Sequence, residues 1–153
     1  MPNFVLAARH AKPKKTTYEE DPPLSEEGIL IEEKVAKLLV KENINIDVIY
    51  TSPLLRARQS AEIIAKYVPA PIFVENALGE DFDKNVLLEL ILNSKEKFMT
   101  TCFMGHAPTM AEFVNDLTGF NALPNGLDKS SIAFLEFPNE IAFHKGKLKK
   151  IFH

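Results

Sequence analysis

The chain has 153 residues, of which 46% are hydrophobic and 25% are charged, and its formal net charge is -3. This length suits one folded domain, and the small negative charge argues against a nucleic-acid binder with a basic face. The sequence has no leader pattern, no apolar run of roughly 20 residues and one cysteine, which predicts a cytoplasmic protein without a membrane span or an intrachain disulfide.

Apolar runs of strand length alternate with helix-like segments along the chain, a pattern that favours a mostly parallel sheet with helices on its faces. The apolar runs 132–137 and 141–144 are separated by only three residues, which predicts an antiparallel C-terminal edge. We therefore expect a three-layer α/β/α sandwich formed by a single domain over residues 1–153. The predicted strands are 4–8, 46–50, 72–74, 98–105, 132–137, 141–144 and 149–152, and the predicted helices are 26–41, one from 53, 84–95 and 108–117.

Several predicted helices carry signals at their ends. Ser25 and Asp83 are suitable N-cap residues, and Pro53 and Pro108 suit the first helical position. Gly119 predicts the end of the last helix. These signals predict where the helices begin and end along the chain.

Three of the predicted strands end in residues that bind anions. Arg9 and His10 follow the first strand, Arg56 lies shortly after the second, and His106 follows residues 98–105. The carboxyl ends of parallel strands meet at one edge of a sheet, where ligands bind in open α/β folds. A buried guanidinium requires an anion, which for Arg9 alone is either an internal carboxylate or a ligand. The shared placement of the four residues favours a phosphate ligand.

A phosphate held in this way permits covalent catalysis. Neutral His10 can attack phosphorus and later transfer the phosphoryl group to water, which divides one difficult step into two. Arg9, Arg56 and His106 stabilise charge on the phosphoryl oxygens in this scheme. Isolated histidines beside two arginines do not form the ligand set of a zinc enzyme, and no Walker-type glycine loop is present. We expect no metal and no kinase activity.

The remaining candidates have structural interpretations. Arg58 points away from Arg56 on the same helix, and we expect it on the surface. His144 falls in a predicted strand and His153 ends the given sequence, so neither is predicted to act in catalysis. Cys102 lies in an apolar run and is expected to be a buried thiol.

Four segments resemble the histidine phosphatase superfamily, which has the phosphoglycerate-mutase-like fold, and within it the small SixA-type phosphohistidine phosphatases. The resemblance implies that His10 is the phosphorylated nucleophile, that Arg9, Arg56 and His106 complete the phosphate pocket, and that no metal or organic cofactor is needed. It also implies a compact member without a large inserted cap. The segments are RHA at 9–11, DPPLSEEG at 21–28, TSPLLRARQSAE at 51–62 and GHAP at 105–108.

The general acid is the remaining catalytic role. Phosphomonoesterases and mutases of this superfamily use a carboxylate that follows the third strand, where this chain has Glu80 and Asp81. Glu80 is the candidate acid, and a solvated acidic loop is the alternative. Because the imidazole of phosphohistidine leaves more readily than an alkoxide, a missing acid shifts the preferred substrate toward phosphohistidine.

The sequence thus predicts a phosphatase for protein phosphohistidine. A small-molecule phosphomonoesterase of the same superfamily and a non-catalytic phosphate-binding module are the alternatives. The polar stretch 11–24 is long for a connection and is a candidate lid or substrate rim. Lys12, Lys14 and Lys15 within it can attract an acidic phosphoprotein, although such lysines are more often simply solvated. The expected partner is a phosphorylated protein or small phosphorylated substrate.

Overall fold

A six-stranded sheet forms the centre of the molecule in the computed structural model, which describes residues 2–15 and 20–153. The strand order across the sheet is β3-β2-β4-β1-β5-β6. The strands are β1 Asn3–Arg9, β2 Val48–Thr51, β3 Ile72–Val74, β4 Thr100–Gly105, β5 Ile132–Phe137 and β6 Lys147–Phe152. The helices are α1 Glu26–Lys41, α2 Leu55–Tyr67, α3 Lys84–Ser94 and α4 Thr109–Thr118, with one 3₁₀ turn at Asn76–Leu78.

The sheet is mostly parallel. Strand β4 pairs in parallel with β1 and β2, and β2 pairs in parallel with β3. Strand β5 is antiparallel to β1 and to β6. The predicted fold class, a mostly parallel sheet with an antiparallel C-terminal edge, is confirmed.

Helices cover both faces of the sheet because successive side chains of a strand point to opposite faces. In β1, Val5 and Ala7 join a buried cluster with residues of α3 and α4, such as Phe113. The alternate residue Leu6 joins a second cluster with residues of α1 and α2, together with Cys102 of β4. Burial of apolar side chains in these two layers is the main source of stability. Cys102 is a free, buried thiol, as expected.

The predicted caps at Ser25 and Asp83 are present. The Ser25 hydroxyl accepts a hydrogen bond from the backbone N–H of Gly28, and the Asp83 carboxylate accepts one from Asn85. Helix α4 ends at Gly119, whose φ of 77° is in the left-handed region that glycine adopts without strain.

The two proline-led helix starts were predicted too early. Helix α2 begins at Leu55, because Leu54 has an extended backbone and the Ser52 hydroxyl accepts the N–H of Leu54 in a turn before the helix. Helix α4 begins at Thr109, and Pro108 is its N-cap. Such shifts of one or two residues are common at helix ends.

The strand predicted at 141–144 is wrong. This segment forms a turn, in which His144 has a φ of 72° and donates its backbone N–H to the carbonyl of Asp116 in α4. Ile141 is apolar because it packs into the core below α4, not because it lies in the sheet. The partner of β5 is instead β6, which begins at Lys147.

The polar stretch 11–24 begins and ends close together. Pro13 and Leu24 form an isolated antiparallel bridge, and the N–H of Ser25 donates to the carbonyl of Lys12. A Cβ atom at Gly28 would lie 2.3 Å from that same carbonyl oxygen, so this contact requires glycine. Residues 16–19, the middle of the predicted rim, lie outside the described residues.

In the described part of the chain, no helix combines the length and the apolar character that crossing a membrane requires.

Candidate active site

The residues predicted at three strand ends meet at one edge of the sheet. Arg9 pairs with Gly105 across β1 and β4, and the backbone N–H of His10 donates to the carbonyl of Gly105 over 3.1 Å. The backbone N–H of Ser52, at the end of β2, donates to the carbonyl of Met104. A cleft of about 570 Å³ opens at this edge. The predicted site residues Arg9, His10, Arg56, Glu80 and His106 all line it.

The His10 ring has one orientation imposed by the backbone. Its Nδ1 lies 2.7 Å from the carbonyl oxygen of Ala11, so Nδ1 carries the proton that it donates there. The other nitrogen, Nε2, is then unprotonated and lies 3.4 Å from Nε of Arg56. His10 is only 6% exposed. The sheet therefore presents a buried imidazole with its lone pair toward an arginine.

The charge state of His10 follows from its surroundings. Burial lowers the pKa of His10 to about 4, although the hydrogen bond to Ala11 opposes this, and the neighbouring His106, Arg56 and Arg9 lower it further. The ring is thus neutral near pH 7. A neutral imidazole is the form that can act as a nucleophile.

His106 forms the opposite wall, with its ring centroid 5.1 Å from that of His10. Its Nε2 lies 2.6 Å from the hydroxyl oxygen of Ser52, and its Nδ1 is buried with no hydrogen-bond partner among the described residues. Burial lowers the pKa of His106 to about 4, with further lowering by Arg56 and Arg9. Both site histidines are therefore neutral.

The two arginines carry positive charge that the described residues do not neutralise. Arg9 donates from Nη1 to the carbonyl of Leu127 over 3.0 Å, while its Nε is buried and has no partner in the described part of the chain. Within residues 2–15 and 20–153, neither Arg9 nor Arg56 forms an ion pair with a carboxylate. The described structure thus offers Arg9 no internal carboxylate, and an anionic ligand satisfies both guanidinium groups.

Two backbone amides at the start of α2 already have acceptors. The N–H of Leu54 donates to the Ser52 hydroxyl, and the N–H of Leu55 donates to the Asp21 carboxylate. Both amides lie at a helix N-terminus, where a phosphate can bind. They instead fix the start of the helix that carries Arg56.

Ser60 joins the two halves of the site. Its hydroxyl accepts the backbone N–H of Ala11 over 2.9 Å and donates to the carbonyl of Arg56 over 2.8 Å. Ser60 is fully buried. The hydroxyl thereby fixes the turn after His10 relative to the first turn of α2.

Glu80 lies on the wall of the cleft and is exposed. It is the one carboxylate among the described lining residues, whereas Asp81 does not line the cleft. A protonated carboxyl group in this position can donate a proton to a leaving group. Lys129, also exposed, lines the same cleft.

The other predicted candidates lie away from the cleft. Arg58 is exposed and donates from Nε to the carbonyl of Pro53, which agrees with its predicted surface position. His144 lies in the turn beside α4, and His153 is exposed. Across the described residues, no three His, Cys, Asp or Glu side chains form a group that could hold a metal ion.

Sequence reasoning missed four residues that contribute to the site. Ser52, Ser60, Asp21 and Lys129 received no role in the site. The signal for Ser52 was a hydroxyl at the end of a strand directly before Pro53. Ser60 and Asp21 lie in the segments 51–62 and 21–28 that carry the resemblance, but their partners depend on tertiary contacts.

The chain belongs to the histidine phosphatase superfamily. The sequence model for branch 1 of this superfamily matches residues 5–87, more than half of the chain. This range contains Arg9, His10, Arg56 and Glu80, while His106 lies beyond it. No curated protein sequence matches the chain.

Solved structures agree on the fold. A protein named SixA from Agrobacterium tumefaciens has a TM-score of 0.85 and 24% identity, covering 100% of this chain and 99% of that chain. The protein histidine phosphatase SixA complexed with tungstate has a TM-score of 0.84 and 20% identity, covering 99% and 96%. A protein called mycobacterial hydrolase 1 has a TM-score of 0.76 and 14% identity, covering 98% of each chain.

Proposed function

We propose that this protein is a metal-independent phosphatase that hydrolyses protein phosphohistidine through a covalent phosphohistidine intermediate on His10. The observation that carries the proposal is the unprotonated Nε2 of His10, which faces Arg56 in a cleft where two arginines have no carboxylate partner in the described chain. Membership of the histidine phosphatase superfamily supports phosphatase activity. We further propose that residues 1–153 act as one domain of this kind.

The first chemical step transfers the phosphoryl group to the enzyme. The lone pair on Nε2 of His10 forms a bond to phosphorus as the bond between phosphorus and the leaving group breaks. The leaving group takes its electron pair and gains a proton from water or from an acid in the cleft. Nδ1 of His10 keeps its proton, and the carbonyl of Ala11 stabilises the positive charge that develops on the ring.

The second step regenerates the enzyme. Water attacks phosphorus, the bond from phosphorus to Nε2 of His10 breaks, and inorganic phosphate leaves with the oxygen of that water. Arg9, Arg56 and His106 stabilise the phosphoryl oxygens in both steps. Removal of one such donor costs about 10²- to 10³-fold in rate in other enzymes.

Phosphohistidine is the substrate that the site suits best. Its imidazole leaves without a strong acid, and Glu80, the one carboxylate among the described lining residues of the cleft, is exposed. The fold is similar to that of the protein histidine phosphatase SixA, which binds tungstate. A protein substrate of this type gives the enzyme a role in signal transduction.

A small-molecule phosphomonoesterase is the second candidate, because Glu80 does line the cleft. Replacement Glu80→Gln separates the two functions, with Asp81→Asn as the matched control outside the cleft. For a phosphohistidine phosphatase, we expect Glu80→Gln to change the hydrolysis of a phosphohistidine peptide by less than about threefold and to lower the already slow hydrolysis of an alkyl phosphate much more.

The assay has distinct outcomes. Faster hydrolysis of the alkyl phosphate than of the phosphohistidine peptide by the wild-type protein favours the phosphomonoesterase. Binding of tungstate without hydrolysis of either substrate favours the non-catalytic phosphate-binding module. A rate that falls with a metal chelator and returns with added metal contradicts metal independence.

A further inference from the structure

We propose that Ser52 is a positioning residue that fixes the tautomer of His106, with the ring proton on Nδ1. Ser52 lies at the end of β2 and is fully buried. Its hydroxyl oxygen is 2.6 Å from Nε2 of His106 and 3.2 Å from the backbone nitrogen of Leu54. These two contacts show whether Ser52 or His106 donates the hydrogen bond between them.

The direction of the bond to His106 follows from the Leu54 contact together with the burial of the Ser52 hydroxyl. A backbone N–H only donates, so the Ser52 oxygen accepts from Leu54 and uses one lone pair for it. The hydroxyl proton still requires an acceptor in a position with no access to water. Among the described residues, Nε2 of His106 is within hydrogen-bond distance of this hydroxyl. The hydroxyl therefore donates to Nε2, which must be unprotonated.

The opposite tautomer satisfies fewer groups. If Nε2 carried the proton and donated to Ser52, the buried hydroxyl proton and the lone pair on Nδ1 would both lack partners. With the proton on Nδ1, a single N–H lacks a partner. Because each unsatisfied buried polar group is costly, the arrangement with the proton on Nδ1 is the more stable one.

The tautomer has a consequence for the site. His106 lines the cleft, and its pKa of about 4 leaves the neutral ring with one N–H. Ser52 reserves that N–H, on Nδ1, for an oxygen of the bound anion, which arrives in a site where two arginines already attract it. This role rests on the proposed function, whereas the tautomer itself does not.

Long-range ¹H–¹⁵N correlation spectra of the wild-type protein at pH 7 distinguish protonated from unprotonated ring nitrogens. We expect His106 to show a protonated Nδ1 and an unprotonated Nε2, with the resonances assigned through His106→Gln. A protonated Nε2 in the wild-type protein overturns the proposal without any further variant.

Variants test whether Ser52 is the cause. Ser52→Ala should produce a mixture of His106 tautomers, and Ser52→Thr, which keeps the hydroxyl, should restore the wild-type spectrum. Thr51→Val is the matched control, because the Thr51 hydroxyl is buried on the same strand but bonds to the backbone carbonyl of Ser52. An unchanged tautomer in folded Ser52→Ala, or the same change in Thr51→Val, overturns the proposal.

Kinetics test the role toward the anion. Single-turnover phosphorylation of His10 by a phosphohistidine peptide should be about tenfold slower in Ser52→Ala, the scale of one lost hydrogen bond, with little change in KM. An unchanged rate would contradict the role of Ser52 toward the anion. The spectra would still test the tautomer independently. No phosphorylation of the wild-type protein contradicts the proposed function instead.

Discussion

Nε of Arg56 donates to Nε2 of His10 over 3.4 Å, which joins the first turn of α2 to the end of β1. This distance is longer than the usual 2.7–3.2 Å of a strong N–H hydrogen bond, so the contact is weak. A phosphoryl group can therefore replace it, because its oxygens are better acceptors for the guanidinium than a neutral ring nitrogen. In the proposed mechanism, the arginine positions the nucleophile before the substrate binds and the phosphoryl group afterwards.

Arg56→Lys should lower kcat/KM by about 10²- to 10³-fold, because lysine keeps the charge but loses the planar donors that hold two oxygens at once. Arg58→Lys is the matched control on the same helix, since Arg58 is exposed and bonds only to the carbonyl of Pro53 in the described structure. Steady-state rates on a phosphohistidine peptide measure both. Equal losses in the two variants would show that Arg56 has no special role.

Ser60→Ala should destabilise the fold by about 1–3 kcal/mol, because the buried N–H of Ala11 loses its acceptor. It should also lower kcat, since the turn after His10 is no longer attached to α2. Ser94→Ala is the control: its hydroxyl makes the same type of bond, to the carbonyl four residues earlier, but away from the cleft. Urea unfolding and steady-state kinetics provide the two measurements. Full activity in a folded Ser60→Ala enzyme would remove Ser60 from the positioning of the site.

The pH dependence of the nucleophile follows from the lowered pKa of His10, about 4. Protonation removes the lone pair on Nε2, so kcat/KM should fall as the pH decreases through about 4 and not near the ordinary 6.5 of histidine. NMR titration of the His10 ring in the free protein measures the pKa directly and avoids ionisation of the substrate. A midpoint near pH 6.5 in the titration would contradict this explanation of nucleophile activation.

Glu32 of α1 provides a separate test of stability. This carboxyl is fully buried, and burial raises its pKa from the usual 4.5 to about 8, which a contact with Ser130 offsets only in part. Because the folded-state pKa lies above the unfolded one, the stability contributed by neutral Glu32 is complete below about pH 4.5 and decreases as the pH rises toward 8. The glutamine side chain in Glu32→Gln cannot ionise, so this variant should not lose stability in this way as the pH rises.

Urea unfolding of both proteins at pH 5 and pH 8 checks the Glu32 prediction. The free energy of unfolding of Glu32→Gln relative to that of the wild type should increase from pH 5 to pH 8. The histidines contribute equally to the stability of both proteins, so their contribution cancels in this comparison. Glu26→Gln, an exposed change in the same helix, should show no such trend. A difference that is independent of pH would mean that Glu32 is ionised in the folded protein.

The strand-end rule explains why much of the site was predictable. Arg9 and His106 are about a hundred residues apart in sequence, yet parallel pairing of β1 with β4 makes their strand ends neighbours. Local patterns also predicted the caps at Ser25 and Asp83, because a cap depends on residues two or three positions away.

The parts that could not be predicted depend on contacts between distant segments. The hydrogen bonds of Ser60 to Ala11 and of Asp21 to Leu55 exist only after Ala11 and Asp21 have come to lie against α2. The consecutive apolar residues at 141–143 resembled a strand, but a partly buried turn also contains such residues. Hydrophobic periodicity reports burial and leaves the type of structure undetermined in so short a segment.

Phosphorylation of His10 is the central claim, and rapid chemical quench of the wild-type enzyme with a phosphodonor labelled at phosphorus tests it most directly. We expect labelled protein whose phosphate is stable in alkali and labile in acid, located at His10 by peptide mapping, and absent in His10→Gln. The label should form and decay at rates that account for steady-state turnover. Hydrolysis at the wild-type rate by His10→Gln, or label on another residue with these kinetics, would contradict the claim.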